Sequence, residues 1–116
     1  MSTGNPNRRH FRMKFPRTDR PNLVLDGVDV PVIDISESGL KFKAPKPGLF
    51  QMRQGLQGTL TFKSGKDVAI KGDVVRIVGD LVMISFKKNL PLPVLKEEAD
   101  RLLGIYGKIE SAGSYF

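Results

Sequence analysis

Residues 68–86 read VAIKGDVVRIVGDLVMISF, and this stretch decides the fold class. Residues 68–78 and 81–86 are rich in valine, isoleucine and other residues that favour β-strands. Gly79-Asp80 lies between them and favours a tight turn. The stretch therefore predicts two antiparallel strands that pair with each other.

Further strands are predicted upstream. Asp26-Gly27 favours a tight hairpin turn between two apolar runs. Pro31 cannot donate to a strand ladder, which predicts a sheet edge or a bulge in its strand. Leu40 and Phe42 alternate with lysines, as in a half-buried strand. Several short strands separated by turns predict an all-β-dominated sandwich or small barrel. The upstream strands are predicted over residues 23–25, 28–30, 30–35, 39–44 and 56–62, with a turn at Ser64-Gly65 after the last.

A change of period predicts one helix near the carboxyl terminus. Pro91 and Pro93 end the sheet, and apolar residues then recur at helical spacing over residues 92–106. Gly104 is expected near the fraying end of this helix. The helix most simply covers one face or mouth of the barrel, and a dimer-forming helix is the alternative. The apolar stripe consists of Leu95, Ala99, Leu102, Leu103 and Tyr106.

The chain is predicted to form one domain, because 116 residues support a single core of modest size. We divide it into a ligand-binding arm, a barrel and the helix, which together span residues 8–106. The terminal segments, residues 1–7 and 107–116, are expected to be loose tails. The arm covers residues 8–21, the barrel residues 22–90 and the helix residues 92–106.

Composition narrows the class of protein. The chain is 40% hydrophobic and 27% charged, as soluble globular proteins are. It contains no cysteine, which excludes disulfides and thiolate metal sites and favours a reducing compartment. No secretory signal and no apolar run of about 20 residues is present. We therefore expect a soluble, cytoplasmic protein.

The residues needed for catalysis are missing. His10 is the only histidine, so neither an imidazole cluster for zinc nor a Cys-His pair can form. The carboxylates are scattered, and no pair stands out as a general acid and base. The sequence also lacks a lysine-containing phosphate-binding loop. We predict a protein that is not an enzyme and that has no metal and no cofactor.

Positive charge is concentrated at the amino terminus. The formal net charge is +7, and within the first twenty residues only Asp19 opposes six basic side chains. Such a segment attracts polyanions, whether nucleic acid, a membrane surface or a phosphorylated ligand. The six are Arg8, Arg9, Arg12, Lys14, Arg17 and Arg20.

The run from Arg8 to Arg12 contains an Arg-x-x-x-Arg spacing. Arginine holds phosphates and can bind the O6 and N7 acceptors of guanine with two parallel hydrogen bonds. Arg8 and Arg12 can converge on one ligand if the segment bends around it. Phe11, Met13 and Phe15 alternate, so the segment is expected to lie extended against the domain with its charges outward. The alternative is an unstructured basic tail.

An Asp-x-Ser-x-x-Gly pattern, Asp34 to Gly39, closes an early apolar strand. An ionised Asp34 can accept hydrogen bonds from N1 and N2 of guanine or from an arginine. Ser36 can donate to a phosphate or to the base, and Gly39 can take a positive φ or admit a close backbone approach. Period-two alternation places Val32 and Asp34 on one face of the strand. The alternative is an ordinary turn stabilised by Asp and Ser.

In this order the two patterns resemble those of the PilZ domain family. Residues 71–76 and 79–86 also resemble that family's paired later strands. The resemblance covers about residues 8–106, nearly the whole chain. It implies a six-stranded antiparallel β-barrel with a carboxy-terminal α-helix. It also implies a bacterial signal-transduction protein that binds the second messenger cyclic di-GMP and has no catalytic activity.

The resemblance also implies a ligand site and a mechanism. Asn7 stands just before the arginine pattern in place of a further arginine, which leaves open whether one ligand or a stacked pair is bound. We expect the unliganded arm to be mobile and cyclic di-GMP to order it over the barrel, which creates a surface for a downstream protein partner. A monomer without membrane insertion is expected. The alternatives are a nucleic-acid-binding small β-barrel and a ligand-independent PilZ-type interaction protein. The predicted ligand-binding residues are Arg8, Arg9, Arg12, Asp34, Ser36, Gly39 and, as a further wall, Arg76.

Overall fold

The structure, a computed structural model, describes residues 12–107 and the backbone of Glu110 and Ser111. Within these residues, seven strands precede one α-helix and an eighth strand follows it. A 3-10 helix, Arg17–Asp19, separates the first two strands. The elements are β1 (Met13–Lys14), β2 (Asn22–Leu25), β3 (Val28–Ile35), β4 (Gly39–Lys43), β5 (Gly55–Thr61), β6 (Asp67–Val78), β7 (Leu81–Phe86), α1 (Leu92–Tyr106) and β8 (Glu110–Ser111).

Six of the strands close an antiparallel barrel. In the order β2-β5-β6-β7-β4-β3 each strand pairs with the next, and β3 pairs back with β2. The first strand, β1, continues the same edge of β3 beyond β2, because Met13 and Lys14 pair with Ile35 and Asp34. The prediction of a six-stranded antiparallel barrel followed by a helix is confirmed.

The tight turns lie at the predicted glycines. Asp26 and Gly27 have φ angles of 47° and 84°, so both central residues of the β2–β3 hairpin are left-handed, as a type I′ turn requires. Gly79, in the β6–β7 turn, has a φ of 63°. These short turns fix the register of the strands on either side of them.

A β-bulge at Ile33 decides which face Asp34 occupies. The ladder between β3 and β4 shifts register between Val32 and Asp34. The extra residue lets Val32 and Ile35 both face the core, where each is fully buried, and Asp34 faces the outside of the barrel. The prediction that Val32 and Asp34 share a face is therefore wrong, because simple alternation contains no bulge. The irregularity lies two residues after Pro31, whose missing N–H group predicted it.

Helix α1 covers part of the barrel, as predicted. Leu102 is 1% exposed and belongs to the main core cluster, and Leu95 and Ala99 pack partly buried against it. Two members of the predicted stripe, Leu103 and Tyr106, are exposed instead. Within the described residues, no helix is long and apolar enough to cross a membrane.

The helix ends at Tyr106, as predicted. Tyr106 is its last residue, and Gly107, with a φ of 74°, donates its N–H group to the carbonyl of Leu103. Gly104 therefore lies inside the helix. Beyond it, Glu110–Ser111 pairs with β1, where a loose tail was expected. The free edge of β1 offers unpaired backbone groups that this short strand satisfies.

The part of the arm that the structure describes is packed on the barrel. Met13 and Phe15 are each 2% exposed, as their alternation predicted, and Phe15 donates its N–H group to the carbonyl of Ile33 at 3.0 Å. Arg12 is only 6% exposed, whereas its charge was expected to point outward to solvent. The described part of the arm, residues 12–20, therefore contacts the barrel in this structure, and the mobility of the unliganded arm stays a prediction. The rest of the predicted arm, residues 8–11, lies outside the described residues.

Candidate ligand-binding site

The site is centred on Asp34, which faces the outside of the barrel and is nevertheless 1% exposed. Arg12 donates a hydrogen bond from Nη1 to Oδ1 of Asp34, and the two side chains form a buried ion pair. Lys41 approaches from β4, with Nζ 3.3 Å from Oδ2 of Asp34. The structure thus brings together Arg12 and Asp34, which the sequence had assigned to two separate patterns.

Strand pairing explains why these groups meet. Lys14 and Lys41 are the direct partners of Asp34 on the two neighbouring strands, β1 and β4. Paired residues project to the same face of a sheet, so both lysines lie on the outer surface beside the carboxylate. Arg12 is two residues before Lys14, and alternation sends its side chain to the same face. The carboxylate of Asp34 therefore has two cationic contacts, Arg12 and Lys41, on the outer surface of the barrel.

One oxygen of Asp34 has unused hydrogen-bonding capacity. Among the described residues, Oδ2 accepts no hydrogen bond, although it is buried and Lys41 lies beside it as an ion-pair partner. A carboxylate oxygen has two acceptor positions, and a buried one is costly to leave unbonded. This orphaned acceptor is suited to the N–H groups of a ligand.

Ser36 and Gly39 build the turn that follows Asp34. Ser36 is 2% exposed, and its N–H group donates to the carbonyl of Gly39 at 2.8 Å. Its hydroxyl accepts from the N–H group of Ser38 at 3.3 Å and lies 3.4 Å from the Gly39 carbonyl. Gly39 is buried at the start of β4, in extended conformation. In this structure both residues act on the turn, which matches the alternative of a Ser-stabilised turn.

Arg76 also lies on the outside of the barrel, but on β6, which is three strands from β3 in the closed ring of six. It pairs with Met83 on β7, Met83 pairs with Lys41, and Lys41 pairs with Asp34. These four side chains form one row across four strands, here called the outer row. Because β6 stands opposite β3 in this ring, Arg76 faces the other side of the barrel from Asp34, and the structure does not bring it to the site. Arg76 is exposed and bounds the far end of the row.

One residue of the site was missed in the sequence. Lys41 was predicted to point outward, but its approach to Asp34 depends on the register of β3 and β4 and on the bulge. The alternation around Lys41 was the available signal. Two of the predicted site residues, Arg8 and Arg9, lie outside the described residues. Within those residues, no group of three or more His, Cys, Asp or Glu side chains is placed to hold a metal ion.

The geometry agrees with a comparison to known families. The PilZ domain model matches residues 6–103, which is most of the chain. The chain belongs to the PilZ domain family. PilZ domains are binding and receptor domains, and cyclic di-GMP binding is the activity that membership implies at the level of the family.

A solved structure has the same fold. The Bacillus subtilis inhibitor of motility (MotI/DgrA) matches this PilZ domain with a TM-score of 0.67 and 13% sequence identity. The match covers 85% of this chain and 52% of that protein, so the chain spans about half of its length. At this identity the likeness shows the fold alone. A comparison with curated proteins finds no significant match.

Proposed function

We propose that this PilZ domain is a bacterial, cytoplasmic receptor for cyclic di-GMP and performs no catalysis. The observation that carries the proposal is Asp34, a buried carboxylate whose Oδ2 accepts no hydrogen bond among the described residues. Guanine presents its N1–H and N2–H donors along one edge. A carboxylate can accept from both, and guanine nucleotides combine this edge with phosphates.

The surrounding charge supports a ligand with two phosphates. Arg12 and Lys41 both contact the carboxylate of Asp34, so a bound anion would have two cationic side chains beside it. Arg12 can remain on Oδ1 while guanine occupies Oδ2. Charge-assisted hydrogen bonds contribute about 1.5–3 kcal/mol each, so several together are enough for micromolar or tighter binding.

The remaining predicted residues complete the proposed site. We assign phosphate and guanine contacts to Arg8 and Arg9, whereas Arg76, on the opposite side of the barrel, is left out of the proposed site. We assign to Ser36 and Gly39 the turn that holds Asp34 in place, with the Ser36 hydroxyl available to the ligand. Either one cyclic di-GMP or a stacked pair can satisfy these contacts.

The proposed mechanism acts just before the described part of the arm. Arg12 is buried on Asp34 and residues 13–20 contact the barrel and α1, so we place the ligand-dependent change in the segment before Arg12. Bound cyclic di-GMP joins that segment to the outer face of β3 and β4. The outer surface of β3 and β4 then differs between the liganded and the unliganded protein, and a downstream protein partner binds only one of the two forms. The receptor is proposed to act as a monomer.

Isothermal titration calorimetry tests the ligand. We expect cyclic di-GMP to bind with micromolar or tighter affinity, and GTP and short oligonucleotides to bind far more weakly. Asp34→Asn and Ser36→Ala should each weaken binding at least about tenfold, because each disturbs the guanine contact. Asp29→Asn is the matched control, since Asp29 is an exposed carboxylate on the same strand.

The same titrations at two salt concentrations separate the alternatives. Tight binding of oligonucleotides with steep salt dependence, unaffected by Asp34→Asn, would identify a nucleic-acid-binding barrel instead. Absence of binding to all three ligands would identify a ligand-independent interaction protein. Either result would overturn the proposed function.

A further inference from the structure

We infer that Lys41 is a further ligand-binding residue, whose ammonium group turns from Asp34 to a phosphate of the dinucleotide when guanine occupies Oδ2. This inference rests on the proposed function. It assigns a role to a lysine that lies outside both sequence patterns. It also explains why a lysine and an arginine share the same buried carboxylate.

The position of Lys41 is fixed by its strand. Leu40 and Phe42, on either side of it in β4, are fully buried in the core, so Lys41 projects to the outer surface. Its side chain is only 18% exposed, because it lies along the surface towards Asp34. A lysine held in this way has already lost much of its conformational freedom, which lowers the entropic cost of binding an anion.

The contact between Lys41 and Asp34 can be replaced by a contact between the ligand and Asp34. Nζ lies 3.3 Å from Oδ2, close enough for an ion pair, but Oδ2 accepts no hydrogen bond among the described residues. Arg12, in contrast, donates a hydrogen bond to Oδ1. The N–H groups of guanine can therefore displace the lysine more easily than the arginine. A displaced ammonium group in a partly buried position needs another anion.

The outer row places Lys41 next to Asp34, on the neighbouring strand β4. A ligand that binds Asp34 and extends over the outer surface of β4 therefore meets Lys41 first. Its phosphate next to the first guanine lies within reach of the flexible four-carbon stem of the lysine. Met83 is half-buried and gives the row an apolar floor beside Lys41.

A charge-removing substitution tests this assignment. Lys41→Met should weaken the binding of cyclic di-GMP about tenfold or more in calorimetry, and Lys41→Arg should restore most of the affinity. Lys43→Met is the matched control, because Lys43 is the next outward residue of β4, is 56% exposed and pairs with Asp80. It removes the same charge and should change affinity less than about twofold. Equal effects of the two methionine variants would overturn the inference.

The Asp34→Asn background separates a phosphate contact from a positioning effect. If Lys41 contacts the phosphate, Lys41→Met should still weaken binding about fivefold or more in that background. If Lys41 acts only by holding Asp34, the substitution should have no further effect there, and the inference fails. Titration followed by heteronuclear NMR measures the weaker affinities, and its spectra show that each variant is folded.

Failure of the inference differs from failure of the proposed function. If the unmodified protein does not bind cyclic di-GMP, the proposed function itself is wrong. If it binds and Lys41→Met binds equally well, only the role of Lys41 is wrong. If Lys41→Met does not fold, Lys41→Arg is the variant that decides. It keeps the positive charge, so a folded Lys41→Arg protein that does not bind cyclic di-GMP would contradict a phosphate contact by this side chain.

Discussion

Tyr106, in the last turn of α1, donates a hydrogen bond from its hydroxyl to Asp19 in the 3-10 helix of the arm. Asp19 also accepts a hydrogen bond from Nη1 of Arg101 at 3.1 Å, and Arg101 pairs with the buried Glu98 at 2.6 Å. These contacts connect the arm to the helix on the outside of the barrel. The Tyr106 hydrogen bond, followed by the contacts with Arg101, lowers the pKa of Asp19 below 3.8, although burial acts in the opposite direction.

Replacing Asp19 should make stability less dependent on pH in the acid range. The pKa of Asp19 is lower in the folded state, so its contribution is fully present above the unfolded value of 3.8 and is lost as the pH falls through the folded value. Asp19→Asn should therefore lower the free energy of unfolding at neutral pH, and the difference from wild type should shrink below about pH 4. Urea unfolding of both proteins between about pH 3 and pH 7 measures this difference in the free energy of unfolding.

The control for Asp19 is Asp100→Asn. Asp100 forms an exposed pair with Lys96 within α1, so its loss should change stability by less than about 0.5 kcal/mol. An Asp19→Asn variant whose deficit stayed constant down to about pH 3 would show that the carboxylate does not bind Tyr106 and Arg101 as described.

Gly58 allows β2 and β5 to approach closely. A Cβ atom at this position would lie 1.8 Å from the carbonyl oxygen of Val24, and backbone cannot rotate away. Gly58→Ala should therefore lower the free energy of unfolding by about 2 kcal/mol or more. Gly104→Ala is the control: nothing lies within 4 Å of its Cβ position, so the higher helix propensity of alanine should stabilise the protein by about 0.8 kcal/mol. Thermal unfolding of both variants checks this, and a neutral Gly58→Ala would contradict the observed register.

Much of the fold could be predicted because local residue types determine it. Asp26-Gly27 and Gly79 mark turns through backbone conformations that few other residues adopt. The helix was predicted over residues 92–106, which are the bounds of α1. Pro31 predicted an edge or a bulge, but the exact position of the bulge and the strand β8 could not be predicted, because each depends on a partner strand that is distant in the sequence.

The candidate site was predictable only in part, for the same reason. Asp34 is recognisable from its spacing to Ser36 and Gly39, and Arg12 from its spacing to Arg8. Arg12 and Asp34 form an ion pair because β1 pairs with β3. A local sequence pattern does not show which strands pair. The burial of both groups follows from the same packing. The sequence predicted that the cations of the arm repel one another. It did not show that the carboxylate of Asp34 neutralises one of them, Arg12.

The Arg12–Asp34 pair predicts a strong energetic coupling. The two side chains are 6% and 1% exposed, so removing either one leaves a buried charge without its main partner. Arg12→Met and Asp34→Asn should each lower the free energy of unfolding by about 3 kcal/mol. The double variant leaves neither charge, so it should lose clearly less than the sum of the single losses. Urea unfolding of the four proteins measures the coupling.

A surface pair provides the matched comparison for this cycle. Lys87 and Asp73 are 2.9 Å apart but 58% and 39% exposed, so water already screens both charges. The cycle of Lys87→Met and Asp73→Asn should give a coupling below about 0.5 kcal/mol. Equal coupling in the two cycles would contradict a buried Arg12–Asp34 pair.

A large coupling only at Arg12 and Asp34 would mean that Arg12 also supports the fold. Loss of ligand binding in an Arg12 variant would then be attributable to the site only where that variant is shown to be folded.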